Sequence, residues 1–128
     1  MSTQPAAAPV DPVRILIVDD SEDQLFLLQR YFERAGCDVS VAASALDALA
    51  LFRDRAPDLT VIDLYMPGMD GWELAAQLTT EVPETAIAIT SVLSKEHYPA
   101  QHAALPKPVS SAHVRSALEQ LVPRWNAA

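Results

Sequence analysis

Short apolar runs rich in β-branched residues alternate along the chain with longer stretches whose apolar residues recur at helical spacing. The four clearest runs occupy residues 15–18, 39–41, 59–62 and 87–89. The first and third runs are almost wholly apolar, which is typical of strands that are covered on both faces of a sheet. This alternation predicts an α/β fold, with a parallel sheet, right-handed crossovers and helices on both faces.

Four helices are predicted from serine caps at their starts and from glycine or proline at their ends. These signals are Ser21 and Gly36 around residues 22–35, Ser44 and Pro57 around the second helix, Pro83 after the third, and Ser110 and Ser111 before the last. In the last helix, Val114, Ala117, Leu118 and Leu121 follow the spacing of a helix with one buried face.

The length and composition of the chain fit one ordinary globular domain. It has 128 residues, and 50% of them are hydrophobic, which is enough for a sizeable core. We predict a flexible leader over residues 1–12, a domain over residues 13–122 and a C-terminal tail over residues 123–128. No apolar run approaches the roughly 20 residues that span a bilayer, so no membrane insertion is expected.

The charge balance and the single cysteine indicate which partners and which cellular location are expected. The formal net charge is −8, which argues against nucleic acid as a direct partner because phosphate contacts need clustered lysine and arginine. Cys37 is the only cysteine, so an internal disulfide is excluded, and a reducing, cytoplasmic location is predicted.

Polar residues that can carry chemistry follow the predicted strands directly. They are Asp19 and Asp20 after the first strand, Asp63 after the third, Thr90 and Ser91 at the end of the fourth, and Lys107 before the last helix. Ligands of such sheets bind outside the carboxyl ends of the strands, where these side chains converge. Grouped carboxylates repel one another unless a cation joins them, and their hard oxygen atoms suit Mg²⁺. Aspartate is also a competent nucleophile toward phosphorus, so the group is typical of a metal-assisted aspartyl-phosphate site.

The same residues resemble the receiver domains of response regulators, over roughly residues 13–121. The resemblance rests on residues 15–20, on the block 61–71 around Asp63, on residues 89–91, and on Lys107 with Pro108. It implies a flavodoxin-like, doubly wound sheet of five parallel strands in the order 2-1-3-4-5.

The resemblance also implies a role for each site residue. Asp63 would be the phosphoacceptor, and Thr90 and Lys107 would contact the phosphoryl group. The implied Mg²⁺ ligands are Asp19, Asp20, Asp63 and the backbone carbonyl of Tyr65. The bond between Lys107 and Pro108 is expected to be cis.

By the same resemblance, the chain is expected to act in phosphorelay signalling and not as an enzyme that turns over an external substrate. A histidine kinase or a histidine phosphotransfer protein would supply the phosphoryl group. Only about one helix follows Pro108, so a stand-alone receiver that signals by binding a downstream protein is expected, and a homodimer is left open.

The segment between the fourth strand and Lys107 departs from the family pattern. Residues 92–103 are short for a full helix and include Pro99, so an atypical fourth helix region is predicted. Ala104 stands where the family has an aromatic residue. Pro106 restricts the fifth strand to the edge of the sheet. Readout of phosphorylation is therefore expected to use this segment and not an aromatic switch.

Two other readings of the same residues remain open. Asp19 and Asp20 alone could serve only as helix caps, since acidic residues are favourable at helix N-termini. The whole domain could also be a pseudo-receiver that binds proteins without being phosphorylated. A hydrolase is disfavoured, because an aspartyl-nucleophile phosphatase needs an acid two residues after the nucleophile, where Tyr65 stands.

Overall fold

The computed structural model describes residues 11–91 and 103–126, which form a five-stranded sheet with helices on both faces. The strands are β1 (Arg14–Val18), β2 (Asp38–Ala42), β3 (Leu59–Asp63), β4 (Ala86–Ser91) and β5 (Ala103–Pro106). All neighbouring strands are parallel, and their order is β2-β1-β3-β4-β5. The predicted sheet and strand order are confirmed, and Pro106 lies on an edge strand as expected.

Five helices accompany the sheet in the described residues. They are α1 (Glu22–Arg34), α2 (Ala45–Asp54), α3 (Gly71–Glu81), α4 (Ser111–Leu121) and the short α5 (Pro123–Asn126). The predicted caps of three helices are confirmed, because Ser21, Ser44 and Ser110 each accept a hydrogen bond from a backbone N–H in the first turn. Each cap satisfies an amide group that has no partner within its own helix.

The sheet separates two apolar cores. Side chains alternate between the faces of a strand, so Ile15 and Ile17 enter one core while Leu16 and Val18 enter the other. The first core contains apolar residues of α1 and α4, and the second contains those of α2 and α3. Because of this alternation, the residue two positions after the last core residue of a strand points to the same face of the sheet as that core residue.

The segment assigned to a C-terminal tail begins with α5, which packs on the domain. Arg124 donates hydrogen bonds to both carboxylate oxygens of Asp58, at 3.0 and 2.7 Å, and to the carbonyl oxygens of Asp11 and Pro12. We call these four residues the terminal clasp. The hydrogen bond from Arg124 is the main cause that lowers the pKa of Asp58.

The atypical region predicted between β4 and β5 falls mainly on residues 92–102, outside the described residues. Its structure and its part in readout therefore stay predictions. Within the two described ranges, no helix combines the length and the apolar character needed to cross a bilayer.

Candidate functional site

The carboxyl ends of β1, β3, β4 and β5 bring the predicted site residues together. Ile17, Val61, Ala88 and Leu105 belong to the core under α1 and α4. Side chains two positions apart along a strand share a face, so the residue two positions after each of these lies on the same face, at the carboxyl rim of the sheet. Those residues are Asp19, Asp63, Thr90 and Lys107.

Asp63 and Lys107 form an ion pair at this rim. The Nζ atom of Lys107 donates to Oδ1 of Asp63 at 3.0 Å. The backbone N–H of Lys107 donates to the carbonyl oxygen of Ser91 at 2.9 Å, which fixes the lysine against the end of β4. The bond between Lys107 and Pro108 is cis, as expected from the sequence. A cation is thus held beside a carboxylate that is only 6% exposed.

Three carboxyl groups form a compact acidic cluster next to this pair. Asp19, Asp20 and Asp63 each offer one carboxylate oxygen, and these three atoms lie within 4.8 Å of one another. Asp19 and Asp63 are buried, whereas Asp20 is exposed. The cluster is therefore open to solvent on the side of Asp20.

Asp19 is the most buried member of the cluster. Its Oδ1 atom accepts a hydrogen bond from the backbone N–H of Ser21 at 2.9 Å, while its buried Oδ2 atom has no hydrogen-bond partner among the described residues. Burial raises the pKa of Asp19, and the nearby charge of Asp63 acts in the same direction. The hydrogen bond from Ser21 and the charge of Lys107 oppose this rise in part.

This arrangement fits a divalent cation. A buried carboxylate oxygen without a donor is costly unless a charge compensates it. Clustered carboxylate oxygens are the ligands that Mg²⁺ prefers, with water completing its coordination. Asp19, Asp20 and Asp63 are thus suited to hold Mg²⁺, and the carbonyl of Tyr65 stays a predicted fourth ligand.

Thr90 lies beside Asp63 in the sheet. The two residues are register partners of β3 and β4, so their side chains share one face. Thr90 is 1% exposed, and its Oγ1 atom lies 3.5 Å from the carbonyl oxygen of Ile62, at the long limit of a hydrogen bond. The hydroxyl group therefore has a weak partner in β3, and its predicted role toward a phosphoryl group stays a prediction.

Two backbone contacts of the site were not predicted from the sequence. The first is the Ser21 N–H group, which orients the Asp19 carboxylate in addition to the capping role of the Ser21 side chain. The second is at Gly71, whose N–H donates to the carbonyl oxygen of Leu64 at 2.8 Å. Asp70 and Gly71 belong to the block 61–71 on which the family resemblance rests, but the packing of Gly71 against the end of β3 could not be predicted from the sequence.

Comparison with known protein families gives one match over most of the chain. Residues 15–119 match the model of the response regulator receiver domain. Protein PilH from Pseudomonas aeruginosa is 37% identical over 83 residues, which cover 65% of this chain and 69% of PilH. The alkaline phosphatase synthesis transcriptional regulatory protein PhoP from Bacillus subtilis is 43% identical over 65 residues, which cover 51% of this chain and 27% of PhoP.

Solved structures show the same architecture. A CheY-like receiver domain protein from Methanospirillum hungatei superposes with a TM-score of 0.81 at 25% identity, covering 91% of this chain and 98% of that one. Chemotaxis protein CheY4 from Vibrio cholerae gives a TM-score of 0.80 at 24% identity, covering 87% and 99%. The second likeness supports the fold alone.

Proposed function

This chain belongs to the response regulator receiver family, a signalling family of two-component systems, and from that premise we propose that Asp63 accepts a phosphoryl group from a phosphohistidine. The donor would be a histidine kinase or a histidine phosphotransfer protein. One observation carries the proposal: Asp63 is paired with the Lys107 ammonium group at 3.0 Å and clusters with Asp19 and Asp20, and a buried oxygen of Asp19 has no partner among the described residues.

The proposed transfer exchanges one bond to phosphorus for another and needs no oxidant or reductant. One carboxylate oxygen of Asp63 forms a bond to phosphorus while the bond from phosphorus to the imidazole nitrogen of the donor breaks. The imidazole leaves with the bonding electron pair, and the product is an acyl phosphate on Asp63. The ammonium group of Lys107 is placed to stabilise negative charge on the phosphoryl oxygens.

Asp19, Asp20 and Asp63 would hold Mg²⁺, which supplies positive charge opposite the lysine when it is bound. The residues of the chain then have separate tasks. Asp19 is fixed by the Ser21 N–H group through one carboxylate oxygen, and its other oxygen has no partner among the described residues. Thr90, beside Asp63 in the ladder, would donate its hydroxyl hydrogen to a phosphoryl oxygen.

The signalling output would be a contact with another protein in the cytoplasm. The rival reading is a pseudo-receiver with the same fold and no phosphorylation. The two differ in one measurable property, which is Mg²⁺-dependent acquisition of a phosphoryl group at Asp63.

The test uses acetyl phosphate as a small donor, so that no cognate kinase is needed. The full chain is incubated with the donor, with and without Mg²⁺, and its intact mass is measured. We expect a mass increase by one phosphoryl group that requires Mg²⁺ and is lost in Asp63→Asn. The matched control is Asp54→Asn, which removes an exposed carboxylate at the end of α2 and should leave labelling unchanged.

Labelling that persists in Asp63→Asn would show that another residue is the acceptor. If the wild-type chain gains no phosphoryl group from acetyl phosphate or from a phosphohistidine-bearing phosphotransfer protein, the pseudo-receiver reading is correct.

A further inference from the structure

We propose that Gly71 is a positioning residue for Asp63, because the absence of its side chain allows α3 to press against the backbone that carries the phosphoacceptor. The proposal rests on the proposed function, since it concerns the acidic cluster around Asp63. Gly71 is the first residue of α3 and is buried.

The space next to Gly71 is already occupied by backbone atoms. A Cβ atom at this position would lie 2.6 Å from the carbonyl oxygen of Asp63 and 2.7 Å from the Cα atom of Leu64. Both distances are shorter than real Cβ contacts allow. The atoms are main chain, so they cannot rotate away as the end of a side chain could.

The other two glycines differ from Gly71, because they are required for their backbone conformation and not for close packing. Gly36 and Gly68 have φ angles of +89° and +87°, and nothing lies within 4 Å of a Cβ atom built on either. They are needed for their backbone conformation. Gly71 has no such φ requirement, so it is needed for close approach.

Leu64 is held through both of its backbone hydrogen-bonding groups, so its main chain has little freedom to yield. The N–H of Leu64 donates to the carbonyl oxygen of Thr90 at 3.1 Å, and its carbonyl oxygen accepts from the N–H of Gly71 at 2.8 Å. The Leu64 side chain is 1% exposed in the second core. A push from residue 71 must therefore displace Asp63, the loop after it, or both.

Displacement of Asp63 would alter its distances to Lys107 and to the other two acids. Misplacing a reacting group by about 1 Å can lower a reaction rate by about 100-fold. We therefore expect Gly71→Ala to weaken Mg²⁺ binding and to slow phosphorylation. A glycine that only permits packing would instead change the stability and leave both site properties unchanged in the folded protein.

The experiment compares Gly71→Ala with Gly68→Ala, because Gly68 lies in the loop that leads into α3 and a Cβ atom there meets no clash. Mg²⁺ affinity is measured by titration, followed by the amide NMR signals of Asp63 and Leu64, and labelling is timed with acetyl phosphate. For Gly71→Ala we expect shifted Asp63 and Leu64 signals, and Mg²⁺ affinity and labelling rate each reduced by on the order of tenfold or more. Gly68→Ala should lose stability and keep Mg²⁺ affinity within about twofold, because its cost is conformational.

Folded Gly71→Ala with the Mg²⁺ affinity of the wild type would overturn the proposal. If the wild type binds Mg²⁺ but is never labelled, the proposed function fails and the Mg²⁺ titration alone decides the role of Gly71.

If Gly71→Ala does not fold, Asp70→Ala takes its place, because it removes the cap at Glu73 N–H and loosens the first turn of α3. Weaker Mg²⁺ binding in Asp70→Ala than in Glu73→Ala, which removes an equal charge, supports the proposal, and equal binding overturns it.

Discussion

Lys107 reaches across β4 to Asp63. Asp63 is the last residue of β3 and Lys107 directly follows β5. These strands are not neighbours, since β4 lies between them, yet Nζ of Lys107 and Oδ1 of Asp63 are 3.0 Å apart. The lysine is anchored to β4 through its backbone N–H and the carbonyl oxygen of Ser91. One ammonium group thus connects the carboxyl ends of the third and fifth strands, where its charge also opposes the binding of another cation.

Replacing Lys107 by methionine should raise Mg²⁺ affinity while it slows phosphorylation. The variant removes a positive charge that lies against one proposed metal ligand, so affinity should increase by on the order of tenfold. Labelling by acetyl phosphate should slow because the variant loses the cation that is proposed to face the phosphoryl oxygens. Calorimetric Mg²⁺ titration and timed labelling measure the two effects. Arg55→Met removes an equal charge at the amino end of the sheet and should change neither, and weaker Mg²⁺ binding in Lys107→Met would contradict the expectation.

Asp19→Asn should stabilise the Mg²⁺-free protein. Asp19 is 1% exposed, and burial raises its pKa, so its ionised form opposes folding at neutral pH. An asparagine keeps an acceptor for the Ser21 N–H group and removes the unpaired buried charge, and the cost of such an unsatisfied group suggests a gain of about 1 kcal/mol in the free energy of unfolding. Urea denaturation in EDTA measures this gain.

Asp20→Asn is the matched control for that experiment, because Asp20 belongs to the same cluster but is exposed. Its gain in stability should be clearly smaller. Addition of Mg²⁺ should stabilise the wild type more than either variant, since a ligand stabilises the state that binds it. An Asp19→Asn protein less stable than the wild type in EDTA would show that the carboxylate is not under strain.

Thr60→Val should also stabilise the domain, and without any effect on the site. Thr60 is fully buried in β3, and its Oγ1 atom has no hydrogen-bond partner among the described residues. Valine has nearly the same shape, so the change removes an unsatisfied hydroxyl group, with an expected gain of about 1 kcal/mol. Thr60 points to the face opposite Asp63, so labelling should not change. Denaturant melts should show no comparable gain for Thr79→Val, where the hydroxyl donates to the carbonyl oxygen of Ala75 at 2.8 Å.

The terminal clasp should make stability depend on pH at the acid end. The folded pKa of Asp58 is lowered, mainly by Arg124, so its stabilisation is present above the unfolded value of about 3.9 and is lost as the pH falls through the folded value. Arg124→Ala should lower the free energy of unfolding at pH 7 by about 2 kcal/mol, allowing for solvent screening of the partly exposed arginine. The difference from wild type should shrink below about pH 4. A difference that persists unchanged in acid would mean that the charge of Asp58 plays no part.

Local signals in the sequence were sufficient for most of the fold. Ser21, Ser44 and Ser110 predicted helix starts because a cap acts within one turn. The strand order and the rim position of Asp63, Asp19 and Lys107 followed from the alternation of elements and the family resemblance. These predictions depend on neighbours in the chain or on a pattern shared across a family.

The features that were not predicted depend on residues far apart in the chain. The docking of α5 requires Arg124 to meet Asp58 and the backbone of Asp11, which are 66 and 113 residues away. The requirement for glycine at position 71 arises only when α3 folds back on the end of β3. The 3.5 Å contact of Thr90 with Ile62 is equally invisible in a linear sequence.

The terminal clasp also determines where the two ends of the described chain lie. Because Arg124 bonds directly to the carbonyl oxygens of Asp11 and Pro12, these ends meet within one hydrogen bond of each other. They meet beside Asp58, which directly precedes β3, whereas Asp63 ends that strand. A short linker could therefore join them in a circularly permuted protein. A fluorescent reporter fused to residue 11 or residue 126 would sit a full strand length from Asp63, the proposed phosphoacceptor, and would leave that rim of the sheet clear for the proposed phosphoryl donor.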